Sequence, residues 1–356
     1  VSAAPEALVA LRDRIDRDLE PALARIAARL VAIDPSLAAA GDALVRLASN
    51  GKRLRPALLL LGHDLAGGDR HDHVIGPAIA LELVHTCALL HDDVIDRTAS
   101  RRGEPTVHER FAREHREADG RIGDADAFGR AVAILVGDLM LVTADDHFRS
   151  ARVDAAALDR AWERFTELRV EVMAGQLLDV TAATSRAADP ERALRIATLK
   201  SGRYTVARPL EIGALLAGAD PTLAEALRRA GDPLGRAFQL RDDLLGVFGD
   251  PARTGKPITS DLAEGKRTLL VAEALGRLDA AGRAELEAGL GDATLDEAAA
   301  ARLGALIADS GARAAVEARI ETDLAEAERA IGALGVDAAA RSVLIGLIGY
   351  LGRRHD

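Results

Sequence analysis

The stretch AIALELVHTCALLHDDVIDRTASRRG, residues 78–103, sets a long apolar run against Asp92, Asp93 and Asp96 and then adds Arg101 and Arg102. A helix on a protein surface carries one apolar stripe. AIALELVHTCALL is apolar on most sides, which suits a helix surrounded by other helices in a large bundle. Such a helix carries its terminal acids into the bundle's interior or to its mouth. Asp92 and Asp96 are four residues apart, so on a helix both carboxylates leave one face about a turn apart. That spacing suits a hard cation such as Mg²⁺, which takes one or two protein carboxylates and completes its shell with water and phosphate oxygens.

The rest of the chain agrees with a helical setting. ALVALRDRIDRDLEPALARIAARLVAI, RAWERFTELRVEVMAGQLLDV and LAEAERAIGALGVDAAARSVLIGLIGYL repeat apolar residues at three- and four-residue spacing. AVAILVGDLMLV, residues 131–142, is a second run apolar on most sides. Aromatics are 3% and no segment alternates with β-branched residues. The reading is all-α: a single large helical bundle with a central cavity, about a dozen helices, one domain over residues 1–356. Polar composition predicts exposed loops at 113–129 and 181–192.

Bulk composition limits the function. The 356 residues are 49% hydrophobic and 29% charged, a globular balance, and the net charge of −10 argues against nucleic acid as a partner. No uninterrupted apolar run approaches the roughly 20 residues of a membrane span. One cysteine, Cys87, excludes an intrachain disulfide, and no basic-plus-apolar leader opens the sequence, so the expected location is the cytoplasm.

A second acid pair, Asp242 and Asp243, lies in FQLRDDLLGVFGD, residues 238–250. The basic residues cluster too. Of 46 Lys and Arg only four are lysines, and Lys52, Lys200, Lys256 and Lys266 all stand in motif-like surroundings. In GKRLRP, Lys52 and Arg55 are three apart near a helix start, where backbone donors also favour an anion. His85 lies two turns before Asp92 on the same face. KSGR at 200–203 and TGKPITSDLAEGKRT at 254–268 hold the other lysines. Acids acting through metal and bases acting directly are two complementary ways to hold phosphate.

In that order, GKRLRP, LELVHTCALLHDDVIDRTASRRG with EPTVH, the GD of LVGDLML, GQLLD, LKSG, FQLRDDLLG and GKPITSDLAEGKRT resemble the trans-isoprenyl diphosphate synthases, the polyprenyl synthetase family, from about residue 45 to 275. The resemblance implies the isoprenoid synthase fold, a homodimer, and head-to-tail joining of isopentenyl diphosphate to an allylic diphosphate. It implies that Asp92, Asp96 and Asp242 ligate Mg²⁺, three ions per site when diphosphate is bound, with Asp93 and Asp243 in support. It places Arg101, Lys200, Lys256 and Lys266 on the allylic diphosphate and Lys52, Arg55, His85 and Arg102 on isopentenyl diphosphate. The Lys200 carbonyl, the Ser201 hydroxyl and Gln239 would face the allylic cation.

Two departures from the family pattern bear on function. Gly246 stands where the second motif's third aspartate belongs, which weakens the case for full Mg²⁺ affinity there. Cys87 and Ala88, the positions that stop the growing chain when bulky, are small, so the expected product is geranylgeranyl diphosphate rather than the fifteen-carbon farnesyl diphosphate. A longer polyprenyl product is the alternative, with Met140 and Met173 as candidate floor residues. A class I terpene cyclase is disfavoured because Lys52, Arg55 and Arg102 would be idle. A non-catalytic synthase subunit is disfavoured because the first acid cluster is whole.

Overall fold

The computed structural model describes residues 6–101, 103–185, 187–249, 260–292 and 294–352. Among these the chain is all-α, apart from one hairpin of two-residue strands, β1 (Ser100–Arg101) and β2 (Glu104–Pro105). It forms two compact units, one of residues 6–60 and 69–158, the other of residues 61–68 and 159 onward.

In the first unit α1 (Glu6–Ile33) packs against α2 (Ala38–Ser49) and α4 (His71–Ile95). α3 (Leu54–Leu65) begins in this unit. α5 (Val107–Glu117) and α4 both pack on α6 (Ala125–Arg149). α4 is the central member: Val74, Ala78, Ala80, Leu81 and Leu83 have no exposed surface. The run that decided the fold from sequence is therefore a core helix, as expected.

α4 stops immediately after its acids. Asp96 is the cap, its N–H bonding the Asp92 carbonyl, and Arg97 takes a left-handed conformation at φ 54°. The Thr98 N–H then returns to the Asp93 carbonyl at 2.9 Å. This is a Schellman closure, usually given to glycine.

In the second unit α7 (Ala155–Ala183) leads to α8 (Pro190–Ile196), which continues as a π-helix over Ala197–Ala207 and then α9 (Arg208–Leu216). The long α10 (Pro221–Phe248) packs on the π-helix and α9. α11 (Ser260–Ala263), α12 (Leu269–Arg277), α13 (Ala280–Gly289), α14 (Glu297–Asp309), α15 (Ala312–Gly332) and α16 (Ala338–Gly352) complete the unit, with α15 and α16 against α10. Buried charge ties its helices together. Arg208 reaches Glu171 of α7 at 2.8 Å and Glu211 at 2.7 Å, and Arg203 reaches Glu171 at 2.9 Å and Asp232 of α10 at 3.2 Å.

Both predicted loops are shorter than expected, because helix caps lie inside them. Asp124 accepts from the Asp126 and Ala127 N–H groups and starts α6, so only 118–124 remains loop before it. Asp189 accepts from the Arg192 N–H with Pro190 at the first helical position, leaving 184–189 between α7 and α8. α4 and α6 are long and apolar enough to cross a bilayer by composition. α4 is mostly buried, and α6 packs along α4 and α5 while showing one exposed apolar stripe.

Candidate active site

In the first unit the site begins at a strained loop. Arg53, at φ 51°, turns inward and is 2% exposed. It donates to Asp16 of α1 and Glu82 of α4, each at 2.7 Å, and to the Ser49 carbonyl. Burial works against this guanidinium, but Glu82 and Asp16 outweigh it and hold it above its ordinary value. Gly51 leaves it room: a Cβ there would lie 2.5 Å from Arg53 Nη1. With Arg53 bolted inside, Lys52 is left exposed and Arg55 half-buried on the first turn of α3.

Asp92 and Asp96 project from the end of α4 with the four-residue spacing intact, both half-buried, and His85 is half-buried two turns earlier. Asp93 is buried and grips Arg101 of β1 through Arg101 Nε at 3.0 Å and Nη2 at 2.6 Å. Burial pushes the Asp93 carboxyl above its usual range, with Arg101 holding it down only in part. Asp93 thus supports the site by orienting Arg101, while Arg101 is anchored to protein as well as placed beside the acids. Arg102 lies outside the described residues, as does Lys256.

Cys87 faces α6 with its Sγ 3.8 Å from His91 Nδ1, and the His91 Nε2 lies 3.1 Å from the Ile134 carbonyl. Burial, then the charge of Asp138, pushes the Cys87 thiol up to about 12, so it stays protonated and unreactive. Ala88 is half-buried. Met140 is fully buried on α6, whereas Met173 is 53% exposed on α7 and lines no enclosed wall of its unit.

In the second unit Lys200 and Ser201 sit within the π-helix, a form often found at functional sites because it breaks the regular facing of side chains. Two glycines let neighbouring backbones press on it. A Cβ on Gly175 would lie 2.5 Å from the Lys200 nitrogen, and one on Gly235 would lie 2.3 Å from the Gly202 carbonyl oxygen. The Lys200 Nζ is 2.7 Å from Asp179 Oδ2. GQLLD is therefore a scaffold for Lys200: its glycine admits the turn and its aspartate holds the ammonium.

One turn of α10 carries the second acid pair. Gln239 donates its amide to Asp243 at 2.7 Å, so it orients an acid in addition to its expected place near the allylic cation. The Asp243 carboxyl is pushed up to about 7, by burial first and then by Asp261 and Asp242, with Gln239 and Lys266 opposing. Lys266 reaches Asp261 at 3.3 Å and pairs closely with Glu264. Of the expected residues, the structure joins Asp93 with Arg101 and Gln239 with Asp243. Arg53, Asp179, Arg203 and Asp261 were not singled out in advance. Each nonetheless lies in a stretch the sequence marked out: Arg53 in GKRLRP, Asp179 in GQLLD, Arg203 in KSGR and Asp261 in GKPITSDLAEGKRT.

The polyprenyl synthetase family model matches residues 36–307. The chain belongs to the polyprenyl synthetase family. It is 32% identical over 319 residues to a geranylfarnesyl diphosphate synthase from Aeropyrum pernix, covering 88% of this chain and 93% of that protein. It is 36% identical over 275 residues to a (2E,6E)-farnesyl diphosphate synthase from Mycobacterium bovis, covering 76% and 70%. A crystal structure of geranylgeranyl pyrophosphate synthase from Corynebacterium glutamicum, complexed with isoprenyl diphosphate and magnesium, superposes with TM-score 0.90 at 35% identity, covering 96% and 99%. This polyprenyl synthetase family member is a prenyltransferase, with the all-α isoprenoid synthase fold.

Proposed function

We propose that the protein joins isopentenyl diphosphate head-to-tail to dimethylallyl, geranyl and farnesyl diphosphates in the presence of Mg²⁺, with geranylgeranyl diphosphate as its main product. The observation that carries the metal-dependent reading is the donor chemistry of the two acid clusters. Asp92 and Asp96 offer aligned carboxylates, and Asp243 sits among Asp242 and Asp261 in a negative setting that a divalent cation relieves. Asp92, Asp96 and Asp242 would hold Mg²⁺, with Asp93 and Asp243 behind them. Mg²⁺ bound there would neutralise charge on the departing diphosphate.

The chain's own residues do the rest. Lys200, fixed by Asp179, and Arg101, fixed by Asp93, present oriented cations to the allylic diphosphate, so little reorganisation accompanies bond cleavage. Lys52 and Arg55 bind isopentenyl diphosphate from a loop whose shape Arg53 has already set. The Ser201 hydroxyl and the Lys200 carbonyl lie in the π-helix, suited to face positive charge on carbon. The apolar flank of α4 excludes water from that cation.

Product length rests on Cys87 and Ala88, both small and one turn before the acids. The relatives' names span farnesyl to geranylfarnesyl products, so their likeness alone does not select one. Cys87→Phe should shift the product profile to shorter chains, read as dephosphorylated alcohols; an unchanged profile would remove Cys87 from the tunnel. Incubation with Mg²⁺, isopentenyl diphosphate and each allylic diphosphate tests the main reading. Elongated alcohols support it, hydrocarbon from the allylic substrate alone would indicate a cyclase, and no turnover a non-catalytic subunit. The working form is proposed to be a cytoplasmic homodimer. Its support is exposed apolar side chains in repeating stripes: Ile134, Leu135 and Val142 on α6, and Val170, Met173, Leu177 and Val180 on α7.

A further inference from the structure

Within the second unit, the chain leaving α7 turns into α8, and α12 packs beside α8. Between them lies a cavity of about 50 Å³. One water needs roughly 10–15 Å³ of such space, so the cavity admits a phosphate-sized group and is too small for a prenyl chain. Ala182, Ala193, Ile196 and Leu275 form an apolar wall. Two cations line the rest: Arg192 of α8 and Arg267, two residues before α12, both half-buried.

The protein around these guanidiniums does not satisfy them. Arg192 Nε and Arg267 Nε and Nη1 are shut off from solvent and make no hydrogen bond among the described residues. Arg192 Nη2 reaches the Leu178 carbonyl only at 3.5 Å, the outer limit of such a bond. The one acid on the cavity wall, Asp189, is exposed. It accepts from the Arg192 backbone N–H at 3.0 Å as the cap of α8 and forms no ion pair with either side chain among the described residues. By contrast, Arg208 and Arg236 of the same unit are matched by Glu171, Glu211 and Asp323. A sequestered donor without an acceptor costs free energy, and more when it is charged. Water would fill the donors but leave both charges uncompensated. An oxyanion answers both needs, and the planar guanidinium suits it.

We propose that this cavity is a binding site for a phosphate-sized oxyanion, held by Arg192 and Arg267 and separate from the metal-binding acids. The chemistry fits free orthophosphate or one end of inorganic diphosphate. Its place in the fold gives it a purpose. Arg267 directly follows Lys266, and Arg192 stands on the helix that continues into the π-helix with Lys200 and Ser201. An anion gripped from both sides ties the Lys266 segment to α8 and steadies the two elements that carry those lysines. The site needs neither metal nor prenyl substrate, so it stands or falls apart from the prenyl-transfer reading.

The test is calorimetric titration of the full chain in EDTA, at constant ionic strength, with orthophosphate and separately with diphosphate. Lys52→Gln, in the first unit, is the parent for the comparison, because it removes a cation expected to hold substrate diphosphate. Arg192→Met and Arg267→Met keep the apolar bulk and remove the donors. A binding event should survive in the parent and weaken at least about tenfold in each Met variant, as for a lost charge-assisted hydrogen bond. Either anion binding in this way supports the site, and the tighter of the two identifies its source. Orthophosphate should also raise the parent's melting temperature and leave that of Arg267→Met unmoved. Without phosphate, Arg267→Met should melt no lower than the parent, since it removes a sequestered charge that has no partner. If the parent binds neither anion, or if both Met variants bind as the parent does, the site does not exist. Melting of Arg267→Met several degrees below the parent without phosphate would show that the protein alone satisfies Arg267, and would equally overturn the assignment.

Discussion

At the scale of single residues, Asp243 gives a pH signature. Its carboxyl is raised from 3.8 to about 7 in the folded, metal-free protein. Below pH 4 both folded and unfolded chains keep the proton. Between about pH 4 and 7 the unfolded chain releases it and the folded chain does not, so stability from this group declines across that window and is gone above it. Asp243→Asn should flatten that decline and melt several degrees above the unaltered protein at pH 8 without metal, measured by calorimetry at pH 5 and 8. Equal melting temperatures at pH 8 would mean that the carboxyl carries no such strain. The acids themselves were legible in the sequence, because paired aspartates inside apolar helices have few other uses. Their partners were not. Asp179 meets Lys200 across 21 positions and Arg53 meets Glu82 across 29, and no local pattern encodes such distances.

Among the elements, α4 and α10 were legible from apolar periodicity and from Asp pairs near their ends. The π-helix was not, since its side-chain pattern differs from an α-helix by a single residue per turn and depends on what presses against it. Gly175 and Gly235 are what press. Gly235→Ala would force a Cβ to within 2.3 Å of the Gly202 carbonyl oxygen, a backbone atom with nowhere to go. The expected cost is about 2 kcal/mol of stability, as for other overpacked positions. A fall in kcat of at least about tenfold should accompany it, because Lys200 and Ser201 lie on the displaced turn. Urea unfolding and steady-state rates measure the two. A variant with normal stability and rate would show that the close approach is dispensable. The predicted loops erred for a related reason: Asp124 and Asp189 are loop residues by composition but caps by position.

For the whole molecule, the family's motif order made the fold legible over most of the chain, while assembly had to wait for exposure to be seen. Val170, Met173, Leu177 and Val180 recur at three- and four-residue spacing on α7, and their exposure is what separates a stripe awaiting a partner from one facing a core. Val170→Asp with Leu177→Asp should convert a dimer to a monomer by light scattering; an unchanged mass would place any interface elsewhere. The single-domain expectation is checked by whether melting shows one cooperative transition. α7 has another side as well. Its other side bears Glu171, which holds Arg203 and Arg208, and Asp179, which holds Lys200. In the proposed dimer one helix would serve association outwardly while it braces the Lys200 turn inwardly. Dilution becomes a kinetic variable: specific activity should fall as subunits separate, before any loss of helix content by circular dichroism, making the enzyme's output a steeper function of its own abundance than simple proportion.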